Sequence, residues 1–291
     1  MPDPAPDGRP LAAYSLLWPQ TLLAYYEWTG DKRFTRELAE FALSEWLTYF
    51  EAARNDTGLL QGDKLVAGRV NWLSGYPAEA TTQANSVLNA LYYRGLLAAT
   101  ELAHATGLDS KTFESAAARI KDAFRAQLWE PAVSLFRDAP GMQTFSALGN
   151  ALAMGGGLAG PQERTGIAAL VRRDAGTFPD RLRPLVVESC FRAEENELGY
   201  HVLAFSRGSS WDCSVLYLLP EYVVGISNGD PGWPNVQLTP RIPGFVDSLE
   251  LTIPIPTGRA TVAYKPDIGV SVSLPPDTMA FVRAAMGETI M

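Results

Sequence analysis

A helix–glycine–cap–helix unit recurs in the first part of this chain and constrains its fold more than any other feature. Residues 21–50 read helix, Thr29-Gly30-Asp31, helix. Residues 86–127 read helix, Thr106-Gly107-Leu108-Asp109-Ser110, helix. In both, the glycine stands where a helix ends in a left-handed residue, a conformation glycine adopts without a Cβ clash. In both, an Asp or Ser follows that can cap the next helix by accepting an orphan amide hydrogen bond, a contribution of about 1 kcal/mol. A phenylalanine comes soon after, Phe34 or Phe113, placed to pack back on the first helix. A weaker copy spans residues 146–171, with Gly160 at the stop and Pro161 at a helix start. Apolar residues fall three and four apart, as in the stripe Leu38, Phe41, Ala42, Trp46, Tyr49 and Phe50, the spacing of a half-buried helix. Antiparallel helix pairs repeating roughly every 60–70 residues point to an α/α toroid or a solenoid, and the long intervening loops favour the toroid.

The texture changes near the C-terminus. VQLTP, SLELTIPIP, RATVAYK and GVSVSLPP alternate, are rich in Val, Ile and Thr, and are separated by Pro and Gly, the pattern of a small β unit. The turn-rich stretch SNGDPGWPN, residues 227–235, marks the boundary. The expected division is a disordered segment at 1–12, a helical toroid over 13–228 and a β-sandwich over 229–291.

Composition narrows the function classes. The chain has 291 residues, 47% hydrophobic and 19% charged, with a net charge of −8, enough for one large domain or a main domain with a small companion. That charge argues against nucleic acid and against an anionic membrane as partners. Cys190 and Cys213 lack a CxxC spacing, and His104 and His201 are the only histidines, so no metal centre is expected. The N-terminal MPDPAPDGRP lacks the basic start and apolar run of a signal peptide. No apolar run reaches the length of about 18 residues that a membrane-spanning helix needs. A cytoplasmic protein acting on neutral small molecules or sugars is the expectation.

Three stretches could carry chemistry. Glu27, Trp28 and Asp31 place an indole and two carboxylates within five residues, as a sugar site would, but the helix stop and cap is the stronger reading. The loop over 55–79 carries Asn71, Trp72 and Tyr76; an indole beside an amide can hold a pyranose, or the Trp can anchor the loop. Tyr14 and Trp18 lie four apart, one above the other on a helix face, as core or as binding aromatics, and Pro19 either kinks that helix or marks its start. Asn89 and Asn150 sit in otherwise apolar helices, where a buried amide needs partners for structure or for substrate. Glu188, Glu194, Glu195 and Glu197 cluster. A glycosidase needs two carboxylates across its substrate, and Glu195 and Glu197 are the catalytic candidates, although a solvated charged surface explains such a cluster as well.

The segments YYEWTGDKRF, VNWLSGYP, NALYYRGLLAATELA, FRAQLWEPAVSLFRD and SALGNALAMGGGLA, in that order, resemble the six-hairpin catalytic domain of bacterial α-L-rhamnosidases. SSWDCSVLYLLPEYVVGI, PGWPNVQLTPRIP and PTGRATVAYK then resemble that family's last barrel helix and C-terminal β-sandwich. The resemblance covers nearly all of residues 14–282. It implies a mainly α chain with a small β domain: an (α/α)6-type toroid, here incomplete, followed by a β-sandwich. It also implies inverting hydrolysis of terminal α-L-rhamnose by a general acid and a general base, and no organic cofactor. Tyr14, Trp18, Trp72 and Trp211 match aromatic positions of the family, and Asn71 replaces the Asp that commonly precedes the loop Trp.

Two departures bear on activity. The family's general acid lies in a stretch like DCPQRDERLGWTGD, and the WTGD at 28–31 imitates its end. Its flanks match a later hairpin instead, so Glu27 does not correspond to the acid. The TTxWE-like segment of the base has no counterpart between 175 and 211, and Ser209 stands where a His would precede Trp211. A toroid lacking hairpins exposes a seam of apolar helix faces, so self-association or binding of a missing piece is expected. An L-rhamnoside is the implied substrate; a non-catalytic carbohydrate-binding or helical-repeat interaction protein derived from the fold is the alternative.

Overall fold

The computed structural model describes residues 12–65, 76–206, 208 and 213–282. Their contacts form two units: one draws on Met1–Leu23 and Phe34–Trp211, the other on Ala24–Arg33 and Asp212–Met291. Helix α1 (Ala12–Thr29) therefore contributes to both. Pro19 lies inside α1, so it does not mark the helix start.

The first unit is helical. After α1 come α2 (Lys32–Ala52), the short α3 (Gly62–Leu65), α4 (Ser86–Thr106) and α5 (Lys111–Leu128). A two-residue ladder of β1 (Trp129–Glu130) and β2 (Leu135–Phe136) precedes α6 (Ala147–Gly155), α7 (Arg164–Asp174), α8 (Arg183–Arg192) and α9 (Asn196–Leu203). Helices α4 and α5, α6 and α7, and α8 and α9 pack as hairpins, while α4, α6 and α8 also pack side by side. The latter form an inner row. Burial follows from that position: α6 is buried from Ala147 through Met154, and α4 on most of its circumference. The outer α5 buries only the stripe Phe113, Ala116, Ala117, Ile120, Phe124 and Leu128, the face an amphipathic helix turns inward. Helix α1 joins the inner row: Gly95 of α4 leaves no room for a Cβ beside the Leu16 carbonyl and the Trp46 ring, and the Trp46 indole donates to the Ser15 carbonyl at 2.8 Å. With α1 and α2, the described residues form four hairpins of an α/α toroid.

The glycine stop falls as expected at two of its three sites; at the second, Asp109 and not Ser110 takes the orphan amide, its Oδ1 accepting from Lys111 N–H at 3.1 Å. Gly30 and Gly107 have φ of +69° and +79°, and Asp31 directly precedes the first residue of α2. In the third copy the left-handed glycine is Gly157, at φ +78°, and α7 begins at Arg164. Gly160 and Pro161 instead lie in the turn between the two helices. Phe113 is buried, but Phe34 is exposed. The buried stripe of α2 is Thr35, Ala39, Leu43, Trp46, Leu47 and Phe50. The sequence stripe was turned partly off this face: Phe41 is 80% exposed and Tyr49 is exposed too.

The second unit carries the strands. Helix α10 (Val215–Leu218) continues into a π-helical turn, Leu219–Val224. One sheet has the order β3 (Ile226–Asn228), β4 (Asn235–Leu238), β8 (Met279–Val282), with β4 and β8 parallel. The other is an antiparallel meander of β5 (Leu249–Ile255), β6 (Gly258–Lys265) and β7 (Gly269–Ser273). Alternate residues of both sheets meet in one core: Ile226, Val236 and Leu238 from the first, Ile253, Ile255, Ala260 and Val262 from the second. This is the period-two pattern of strands with one face buried, and it makes the unit a small β-sandwich.

Candidate functional site

The polar groups of the first unit gather at the N-terminal ends of inner helices α4 and α6, and the same sequence device builds both ends. Asn85 caps α4, accepting from the Leu88 amide at 2.8 Å. Four residues later the Asn89 amide clamps the preceding loop: its Oδ1 accepts from Leu60 N–H at 2.7 Å, and its Nδ2 donates to Leu60 O at 3.1 Å and to Asn85 O at 2.9 Å. Ser146 caps α6 through the Gly149 amide at 3.2 Å. Asn150 then repeats the clamp: Oδ1 accepts from Phe136 N–H at 2.8 Å, and Nδ2 donates to Phe136 O and Ser146 O, each at 2.9 Å. Both amides are fully buried, and the structure thus assigns Asn89 and Asn150 to architecture. The segments NSVLN and SALGN were the signal for this repeat. At α8 the equivalent work falls to the buried Arg183, which donates to Phe178 O and to Asp180, each at 2.8 Å.

Tyr76 and Asp138 link the two helix ends. The Tyr76 hydroxyl donates to Asp138 O at 2.8 Å and lies 3.0 Å from Ser86 Oγ, while the Ser86 amide donates to the same Asp138 carbonyl. Asp138 Oδ1 accepts from the Ser146 amide at 2.8 Å; its Oδ2 is buried without a hydrogen-bond partner. Burial, with the Asp138 charge second, pushes the Tyr76 phenol far up, so Tyr76 stays protonated and works as a donor. A cleft of about 120 Å³ opens here, lined by Tyr76, Ser146, Leu148, Asp174, Phe178 and Leu182 among others. Asp174 is the one carboxylate lining it among the described residues, and Arg173 holds that carboxylate at 2.7 and 3.0 Å. Its lining sets the Asp174 carboxylate and the Ser146 and Thr177 hydroxyls beside the Phe178 ring, groups that a small hydroxylated ligand could meet. Nothing in the FRDAP segment around Asp138 announced its part.

The sequence candidates fall in several places. Tyr14 and Trp18 sit in the N-terminal half of α1; Tyr14 is exposed and Trp18 half-buried. Asn71, Trp72 and Trp211 lie outside the described residues. Glu195 and Glu197 lie where α8 gives way to α9, at the end of the inner row opposite to the Asn85–Ser146 rim. Glu195 is half-buried and Glu197 exposed. Glu188 separates from them, since it pairs with the buried Arg94 at 2.5 Å, so the four glutamates are not one cluster. Burial, then the Glu195 charge, pushes the Cys190 thiol up to about 12, which leaves it inert as a nucleophile.

The sequence profile of the bacterial alpha-L-rhamnosidase 6-hairpin glycosidase domain matches residues 1–177. No curated protein sequence matches the chain. Among solved structures, the rhamnosidase of Bacillus sp. GL1 superposes with a TM-score of 0.76 at 17% identity, covering 96% of this chain and 34% of its own. The α-L-rhamnosidase of Streptomyces avermitilis, complexed with L-rhamnose, gives 0.70 at 18% identity, covering 92% and 29%. That of Aspergillus terreus gives 0.68 at 17%, covering 93% and 36%. The chain thus spans about a third of the length of these structures. Its helical hairpins, the sandwich that follows them and the profile match over more than half its length agree: the chain belongs to the bacterial α-L-rhamnosidase six-hairpin glycosidase family.

Proposed function

We propose that the chain acts within an α-L-rhamnosidase-type glycoside hydrolase that removes terminal α-L-rhamnose from glycosides or polysaccharides with inversion, in the cytoplasm. The observation that carries this is the family profile over residues 1–177. Inversion needs an acid and a base about 6.5–9.5 Å apart, with a water between the base and the sugar. In this reading the sugar lies over the N-terminal ends of the inner helices, and Tyr14, Trp18, Asn71, Trp72 and Trp211 are the residues proposed to bind it. Asp138 and Asp174 belong to that end of the row and Glu195 and Glu197 to the other, so the rim aspartates are the better carboxylate candidates. Hydrolysis of an aryl α-L-rhamnoside, followed by NMR of the first-formed anomer, tests the reading. The expected product is β-L-rhamnose; a folded protein with no turnover overturns it.

A second reading, a non-catalytic carbohydrate-binding protein, draws support from the single carboxylate that lines the rim cleft among the described residues. Calorimetric titration with L-rhamnose, on the wild type and on Trp72→Ala, separates the two: binding without turnover supports the second, and no binding removes it. We also propose self-association through apolar helix faces, which light scattering would detect as a dimer. Among the described residues, no helix is long and apolar enough to cross a membrane.

A further inference from the structure

Two places contrast in how they expose aromatic rings. One is a cleft of about 670 Å³ in the second unit, lined by Trp28, Tyr217 and Trp233 together with Glu27, Glu221 and Asn228. There Trp28 rests edge to face on Trp233 at 5.0 Å. The other is helix α2 of the first unit. Phe41 is 80% exposed, the most of any large apolar side chain described, and Phe34 is exposed as well. Helices α5, α7 and α9 share the outer position in their hairpins, yet none of them exposes a large apolar side chain. On α2 the excess lies along one flank. Phe34, Leu38, Phe41 and Glu45 follow at intervals of four, three and four residues, which sets them in one line along a helix. Ala42 borders that line. The flank on the other side of the buried stripe is charged: Arg36 pairs with Glu40 at 2.9 Å, and Glu51 reaches Arg119 of α5 at 3.0 Å. The apolar line thus turns away from the flank that meets α5.

A contiguous apolar face on a soluble chain marks an interaction surface, and charge decides what covers this one. The line carries Glu45 and no basic residue, and the chain has a net charge of −8, the wrong sign for an anionic bilayer. A second α2 fits instead. The spacing of the line is that of a coiled-coil seam, in which the knobs of one helix enter the gaps of another. Charge then fixes the orientation. Helix α2 opens with Lys32, Arg33 and Arg36 and has no acidic residue in its first turn, where the positive end of the helix dipole adds to them. Asp31, just before the helix, opposes them with one charge. Glu45 stands at the other end of the line. A parallel pair would set Glu45 against Glu45. An antiparallel pair, about a two-fold axis near Leu38, sets each Glu45 beside the basic start of the partner's α2, twice over. That is the self-complementary arrangement of an isologous dimer.

We propose that the flank of α2 formed by Phe34, Leu38, Phe41 and Glu45 is a docking surface for a second copy of this chain, the two helices running antiparallel. The proposal rests on the self-association proposed above and gives it a surface and an orientation. Sedimentation of the full chain over a range of about 1–100 μM tests it. The wild type is expected to pass from monomer to dimer across that range. Phe41→Glu, at a position the core does not use, should weaken the dimer by about tenfold or more with helix content unchanged by circular dichroism. Glu45→Lys should weaken it too, and Lys32→Glu added to the same chain should restore it, because the reversed pair attracts again. A dimer that Phe41→Glu leaves intact overturns this surface and leaves the association standing. A wild type that stays monomeric, or that gathers only on phosphatidylserine vesicles, overturns both. A double reversal as weak as Glu45→Lys alone overturns the antiparallel pairing. Hydrolysis of aryl rhamnoside by the same samples reports separately on the proposed activity.

Discussion

The rim of the inner helices and the cleft of the C-terminal unit both set polar side chains among aromatic ones, but they commit them differently. At the rim, Asn85, Asn89, Ser146 and Asn150 use their side chains on backbone groups of loops and helix ends. In the cleft, the buried indole of Trp233 is left without an acceptor. A buried polar residue with every bond made within the protein strengthens the frame, whereas one with a bond unmade carries a cost that the packing around it must offset. Asp138 has one oxygen in each condition.

Substitutions can break this contrast, beginning with the largest effect. Asn150→Ala removes three hydrogen bonds and strands the Phe136 amide and carbonyl. Each buried group left unpaired costs on the order of 1–3 kcal/mol, so a loss of about 3 kcal/mol in urea unfolding is expected; a loss under about 1 kcal/mol would show that the clamp is not structural. Tyr76→Phe removes one hydroxyl from Asp138 O, which keeps its bond from Ser86 N–H, and about 1–2 kcal/mol should be lost. Trp28→Ala removes a half-exposed ring and one edge-to-face pair. Its stability should fall by only about 1 kcal/mol; a loss as large as that of Asn150→Ala would show that this half-exposed ring belongs to the frame.

The smallest effect is a matter of pH. The Arg125 guanidinium, bonded to Glu163, holds that carboxyl below the usual carboxylate range and wins over the opposing effect of burial. Unfolded Glu163 therefore binds protons more readily than folded Glu163. The pair stabilises the protein above the ordinary carboxylate pKa of about 4.3, and this stabilisation is lost as pH falls through the lower folded value. Glu163→Gln should cost less than about 1 kcal/mol at neutral pH and nothing once both forms are protonated, as urea midpoints across that range would show.

Elements whose signal is local were legible in the sequence. Gly30 and Gly107 end helices because the left-handed residue and its cap are chain neighbours. Strands β4 to β7 were legible from alternation, whereas β8 was not. It lies beside β4 as a parallel strand and is exposed along its length, so its neighbour, not its pattern, makes it a strand. The face of α2 was misread because Phe41 and Tyr49 score as apolar wherever they point; only the packing of Leu43, Trp46 and Phe50 fixes the rotation. The rim was half legible: Tyr76, Asn89 and Asn150 were visible as residues, but their partners Leu60, Phe136 and Asp138 are set by the course of loops. The cleft was hidden in full view. The helix-stop reading of Gly30 holds, and Glu27 and Trp28 also line a cleft whose other wall comes from residues some 200 positions later, which no local pattern could announce.

That separation governs how the protein is made. Gly30 and Gly232 meet back to back, each so close that a Cβ on either would press on the other's backbone, and Gly232 N–H closes on Glu27 O. A chain leaving the ribosome delivers Trp28 some 200 residues before Trp233. Hairpins with neighbouring partners can form as they emerge, while the end of α1 must wait, its aromatic side chain uncovered, until those residues follow. Contacts this distant in sequence form slowly and leave intermediates prone to aggregation. A segment made later thus decides the fate of one made some 200 residues before it.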